Sequence, residues 1–230
     1  MNQLILPYQK NIKQTFDKFY GENLENMLIV DHIKKIFMNS NNQIFIWGDR
    51  SLGKSHFQYS ACNYFSACKK KCIYLPMKDY KKFNNDILFG VEEYDLICID
   101  DIDYIFGLDE WEKSFFFLLN KVLDNSNKII YTSSSNLKNT NIKLKDLHSR
   151  LSWGLLFKIN SENDFIKKKI LKKIIFEKEY NISDNICDYL LNRKERDLHS
   201  LINAIHKLGS YSFSMNKKVN LKDVNGILSL

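Results

Sequence analysis

Apolar residues fall into two rhythms along this chain. In the first 160 residues, short unbroken apolar runs alternate with stretches of helical spacing. Gln43-Ile44-Phe45-Ile46-Trp47 is such a run, closed by Gly48-Asp49, and it predicts a buried strand; residues 72–75, 94–100, 128–132 and 155–159 predict four more. Between them Met27, Val30, Ile33, Lys34 and Phe37 recur as on one helix. Residues 55–68 and 109–126 predict two further helices, the second burying Trp111, Phe115, Leu118, Leu119 and Val122 on one face. Strands alternating with helices predict an α/β fold, a parallel sheet joined by right-handed crossovers and covered on both faces.

Beyond residue 160 the strand rhythm stops. Ile166, Ile170, Leu171, Ile174 and Ile175 space as one amphipathic helix opened by Ser161. Leu198, Leu201, Ile202, Ile205 and Leu208 space as another, and residues 221–228 fit a last short one. The first 14 residues carry no helical period and read as a separate arm. The expected layout is an arm over 1–14, an α/β domain over 15–160 and a small helical subdomain over 161–230.

Composition narrows the setting. No apolar run approaches the ~18 residues that cross a bilayer. The N-terminus lacks the pattern of a signal peptide, and five scattered cysteines show neither a disulfide framework nor paired metal spacing. A reducing cytoplasm is expected. The net charge of +7 arises from 30 Lys against only 4 Arg, with 25 Asn and 26 Ile. That bias reflects AT-rich coding, so the charge reads as solvated helix faces rather than a phosphate track. The surviving arginines are candidates for contacts that lysine cannot make, such as bidentate binding of phosphate.

One motif carries strong chemistry. Gly48-Asp49-Arg50-Ser51-Leu52-Gly53-Lys54-Ser55 fits G-x-x-x-x-G-K-[ST] at every fixed position, straight after a strand and opening a helix. Gly48 and Gly53 allow the backbone to wrap a phosphate at the positive end of the helix. Lys54 would reach the outer phosphates and Ser55 would ligate Mg²⁺. A nucleoside phosphate and its Mg²⁺ are therefore expected. The run ending Ile99-Asp100-Asp101 supplies the partner element, with Asp100 beside the metal and Asp101 near an attacking water. Thr132 and Ser133, at the end of the next strand, and Asn120 are candidates to sense the terminal phosphate or the water. Strand ends also carry Ser and Thr as turn formers.

Together these segments resemble the AAA+ module of the DnaA/Hda family of replication proteins. The resemblance rests on the P-loop, the acidic strand end, Ser149-Arg150-Leu151-Ser152-Trp153-Gly154, and Glu195-Arg196-Asp197-Leu198. Thr15-Phe16-Asp17-Lys18-Phe19-Tyr20-Gly21 resembles the aromatic segment preceding that module, which implies that Phe16 and Phe19 lie near the adenine. The resemblance implies an AAA+ sheet followed by a helical lid. It makes Arg150 a finger offered to a neighbouring subunit's nucleotide and Arg196 a sensor for the chain's own nucleotide. Its further implications are ADP (or ATP) as ligand and the initiator DnaA as partner. Gln3-Leu4-Ile5-Leu6-Pro7 resembles the peptide by which Hda-type members bind the DNA polymerase sliding clamp.

The implied function is negative regulation of replication initiation: the chain activates ATP hydrolysis by DnaA and is not itself a fast ATPase. It would meet DNA only through the clamp, near the nucleoid, with no membrane partner. Asp146 stands where the initiator has a basic interface residue, which argues against filaments and leaves self-association open. A helicase-loading AAA+ ATPase and a truncated DnaA-like initiator are the alternatives.

Overall fold

The computed structural model describes residues 14–18, 23–192 and 197–228. The chain divides into two compact units, one running to Ile159 and the other from Asn160.

The first unit is built on five parallel strands, β1 (Gln43–Trp47), β2 (Cys72–Pro76), β3 (Leu96–Asp100), β4 (Lys128–Ser133) and β5 (Leu155–Lys158). Their order across the sheet is β2-β3-β4-β1-β5. β3 and β4 are buried at every position, because both faces of the sheet are covered. On one face α3 (Asp109–Asp124) and α4 (Lys145–Leu151) enclose a core of Phe45, Ile97, Phe115, Leu119, Tyr131 and Leu151. On the other face α1 (Leu24–Lys34) and α2 (Lys54–Ala67) pack Ile29, Ile33, Phe57 and Ala61 against Ile44, Ile46 and Cys98. The first crossover carries the chain from β1 over β3 and β4 to the edge strand β2, which leaves the strand order reversed beside β1. In open parallel sheets ligands bind at the carboxyl ends of the strands, at such a reversal.

The second unit holds α5 (Asp164–Glu177), α6 (Asn185–Leu191), α7 (Leu198–Ser214) and α8 (Leu221–Leu228) around Leu171, Ile186, Ile205 and Leu208. Two expectations change here. The cap of α5 is Asn163, whose side chain accepts the Ile166 N–H, so the helix opens two residues after the expected Ser161. α6 is an additional helix that the apolar spacing did not announce. Among the described residues all five cysteines are free thiols, and no helix is long and apolar enough to cross a membrane.

Candidate functional site

The carboxyl ends of β1, β3 and β4 meet at one level. Trp47 pairs with Ser133, and Ile99 with Tyr131, so Asp100 arrives beside Thr132 and Gly48 just beyond Ser133. The Gly48 N–H donates to the Ser133 carbonyl at 3.3 Å. Glycine is required at both ends of the loop that follows. A Cβ on Gly48 would lie 2.4 Å from the Ile159 side chain and 2.7 Å from its carbonyl oxygen. Gly53 has φ 93° and ψ 17°, left-handed backbone that glycine adopts freely.

Gly53 also begins α2 without any side-chain cap, so the first N–H groups of that helix point into the loop with their positive end uncompensated. Lys54 is 5% exposed, and its ammonium donates to the carbonyls of Gly48 (2.7 Å) and Asp49 (2.8 Å). Burial lowers its pKa, and Asp101, Asp100, Asp103 and Asp49 oppose that effect. A buried ammonium hydrogen-bonded to two loop carbonyls, facing open helix N–H groups, fits a phosphate. Ser55 sits half-buried in the first turn of α2 and makes no side-chain hydrogen bond among the described residues, which fits a hydroxyl available to a metal ion.

The acidic strand end is fastened more tightly than its sequence suggests. Asp100 is 1% exposed. One carboxylate oxygen accepts the Tyr74 hydroxyl at 2.7 Å, and the other accepts the Thr132 hydroxyl at 2.5 Å. Tyr74 comes from β2 and stacks on Tyr59 of α2 with ring centroids 4.1 Å apart. Burial, and then the neighbouring Asp100, hold the Tyr74 phenol far above the usual range. Asp100 is thus clasped between two neighbouring strands, which suits it to orienting work. Thr132 is the other half of the clasp, because its oxygen also accepts the Asp101 N–H at 3.0 Å.

Asp101 stands beyond the clasp in left-handed backbone, φ 54° and ψ 49°. Burial is the main cause of its pKa rising to about 6, Asp100 adds to the effect, and Lys54 opposes it. Asp103, two residues on, accepts the N–H and the hydroxyl of Ser134 at 3.0 and 2.6 Å. Ser133 turns inward, its hydroxyl accepting the Ser135 N–H at 3.0 Å. Gly48, Gly53, Lys54, Ser55, Asp100, Asp101, Thr132 and Ser133 therefore share one site.

Two other candidates lie elsewhere in this unit. Phe16 is 8% exposed and packs edge-on against Tyr64, ten residues along α2 from Lys54, with the Lys34 ammonium 5.4 Å from its ring centroid. It is a core residue of the α1–α2 face, whatever its sequence neighbours do. Arg150 lies in the last turn of α4, its guanidinium 4.4 Å from the ring centroid of Trp153. Trp153 is 63% exposed, and among the described residues no carboxylate pairs with Arg150. The helix beneath is firmly seated. Leu147 and Leu151 are fully buried, and the Tyr131 hydroxyl reaches the Leu151 carbonyl at 3.2 Å. Gln3, Leu4, Leu6, Pro7, Phe19 and Arg196 lie outside the described residues.

Comparison with known proteins assigns the family. A family model described as the bacterial DnaA ATPase domain matches residues 10–158. The chain belongs to the bacterial DnaA family. A second model, described as the lid domain of Hda, matches residues 164–222, so this DnaA homologue carries an Hda-type lid. An uncharacterized protein of Haemophilus influenzae is 31% identical over 230 residues, covering 99% of both chains. Domain III of the Thermotoga maritima initiator DnaA superposes with a TM-score of 0.78 at 21% identity, covering 94% of this chain and 96% of that one. Aquifex aeolicus DnaA, solved bound to AMPPCP, gives 0.74 at 24% identity over 90% of this chain and 68% of that one. The fold is that of an AAA+ module of the DnaA type.

Tyr74, Asp103 and Glu112 carry no signal in the sequence, and Trp153 stood there only as a member of the segment around Arg150. Tyr74 and Asp103 act through partners far away in sequence, and no local pattern marks them.

Proposed function

We propose that this DnaA homologue is a negative regulator of chromosome-replication initiation. In this reading it is tethered to the sliding clamp by Gln3-Leu4-Ile5-Leu6-Pro7, with Leu4 and Leu6 filling an apolar pocket and Gln3 bonding at its edge. It holds an adenine nucleotide, ADP as resting ligand, and presents Arg150 to the ATP of a neighbouring DnaA subunit. It works in the cytoplasm, meets DNA through the clamp, and acts mainly as an activator of its partner's hydrolysis.

The observation that carries the reading is the state of Arg150. A guanidinium stacked on an exposed indole, with no carboxylate paired to it among the described residues, on a helix fixed to the sheet, is prepared for an anion from a partner. The chain's own residues divide the remaining work. Lys54 and the open N–H groups of α2 bind phosphate, and Asp100, held by Tyr74 and Thr132, orients what lies before it. Asp101, beside Lys54, can hold or release a proton near neutrality. Ser55 and Asp100 would hold Mg²⁺, which when bound neutralises phosphate charge. Arg196 reads the nucleotide from the lid, and Phe19 flanks the base.

The test is phosphate release from ATP-loaded DnaA in the presence of clamp loaded on DNA. The full chain should stimulate release, and protein lacking residues 1–8 should neither stimulate it nor be retained on immobilised clamp. Equal stimulation and retention by the truncated protein would remove the clamp from the account.

A further inference from the structure

Glu112 occupies an unusual position for a charged residue. It lies one turn into α3, is 1% exposed, and has no cation paired to it among the described residues. Its carboxylate takes its hydrogen bonds from backbone N–H groups, and the Lys143 ammonium, bonded to Asp109, adds only a through-space attraction. It accepts the Gly107 N–H at 2.6 Å, the Lys143 N–H at 3.1 Å and the Leu144 N–H at 2.8 Å. A buried carboxylate is tolerated when several N–H donors are aimed at it, and removing them exposes the full cost of burying the charge.

The donors come from two segments far apart in sequence. Gly107 closes the loop that leaves the acidic strand end, six residues after Asp101. Lys143 and Leu144 lead directly into α4, which carries Arg150. A separate contact joins the same two segments: a Cβ on Gly107 would lie 2.8 Å from the Asn141 side chain. Farther along, α4 is held by the burial of Leu147 and Leu151 and by the Tyr131 hydroxyl. The hydrogen-bonded path thus runs from Gly107, at the end of the loop that follows Asp101, through Glu112 to Leu144 and the arginine helix, without leaving one unit.

We infer that Glu112 is a positioning residue for Arg150, setting the start of the arginine helix against the chain's own acidic strand end. The inference rests on the proposed action of Arg150 in trans. Glu112 touches no nucleotide in this account. It fixes the angle at which α4 offers the guanidinium to the neighbouring subunit, and it ties that angle to the loop behind Asp101. Displacing a reacting group by ~1 Å can cost about 10²-fold in rate, so a modest shift of α4 would be felt in turnover.

Glu112→Gln keeps the volume but turns one acceptor oxygen into a donor facing N–H groups. Leu144→Pro attacks the same bond from the other side. It deletes one of the three donors at a residue whose φ of −80° suits proline. Both variants are compared with wild type and Arg150→Ala in the DnaA phosphate-release assay, at a temperature where melting curves show each protein folded. For Glu112→Gln the maximal stimulated rate should fall about ten- to a hundredfold. The concentration giving half-maximal stimulation and the affinity for ADP should stay within about twofold of wild type. Leu144→Pro should show the same pattern with a smaller loss. A residue that merely stabilised the fold would lower the melting temperature and leave the maximal rate of the folded protein unchanged. Wild-type maximal rates in both variants, beside an inactive Arg150→Ala, would overturn the inference and leave the arginine reading standing. Full activity in Arg150→Ala would overturn the arginine reading and this inference with it.

Discussion

Replacing Tyr74 by Phe removes one oxygen atom from the interior and tests how the acidic strand end is held. The two residues are 5% and 1% exposed, and the bond between them is 2.7 Å long. No solvent stands ready to replace the lost donor. Hydrogen bonds to charged groups contribute about 1.5–3 kcal/mol, and that is the expected loss. On a chain of this size such a loss lowers the melting temperature of the sheet unit by about 3–12 °C. The stack on Tyr59 survives, so apolar packing changes little. Thr132→Val removes the other donor and should cost a similar amount. The double variant leaves the buried carboxylate with neither hydroxyl, and its loss should exceed the sum of the single losses by about 0.5–3 kcal/mol. Urea denaturation of the four proteins, followed by circular dichroism, gives the cycle. A Tyr74→Phe protein within about 0.5 kcal/mol of wild type would refute the clasp.

The other expectations concern the same site. Asp101→Asn should raise the melting temperature at pH 7.5. The folded state raises this carboxyl from 3.8 to about 6 and so binds its proton more tightly than the unfolded chain does. That contribution to stability is lost as pH climbs through this window, and asparagine, which also tolerates left-handed backbone, escapes the loss. The gain should vanish near pH 4, and melting curves at both pH values check it; a constant difference would contradict the assignment. Lys54→Ala should abolish stabilisation by ADP. At hundredfold excess over its Kd, a ligand specific to the native state adds about 2.7 kcal/mol, or about 5–11 °C here, and a hundredfold weaker site adds about 1 °C at the same concentration. Equal shifts in thermal melts of the two proteins would mean that the loop does not hold the nucleotide.

The parts of this molecule that were legible in its sequence are those whose physics is local. The apolar runs announced the strands because a parallel sheet covered on both faces buries its inner strands at every position, Leu96–Asp100 above all. The P-loop was legible because Gly48 and Gly53 answer steric demands of single positions. The seven-residue helices α4 and α6 were not, since two turns bury too few residues to establish a period; α4 contributes Leu147 and Leu151 to the core and little else. The aromatic at position 16 was legible only through the motif around it; its packing against Tyr64, 48 residues away, follows no local period. Tyr74 pairs with Asp100 across 26 residues and Glu112 with Leu144 across 32. Such pairs become visible only when the sheet order is known.

Whether Arg150 acts on a partner's nucleotide is decided by phosphate release from ATP-loaded DnaA with clamp on DNA, comparing wild type, Arg150→Ala and Arg150→Lys. Arginine fingers contribute about 10³ to 10⁵ in rate. Arg150→Ala should keep its fold, its ADP affinity and its hold on the clamp while stimulation falls by about 10³ or more. Arg150→Lys should recover little, because an ammonium lacks the planar fork. Stimulation by Arg150→Ala at the wild-type rate would rule out a finger role and reduce Arg150 to a surface side chain resting on Trp153.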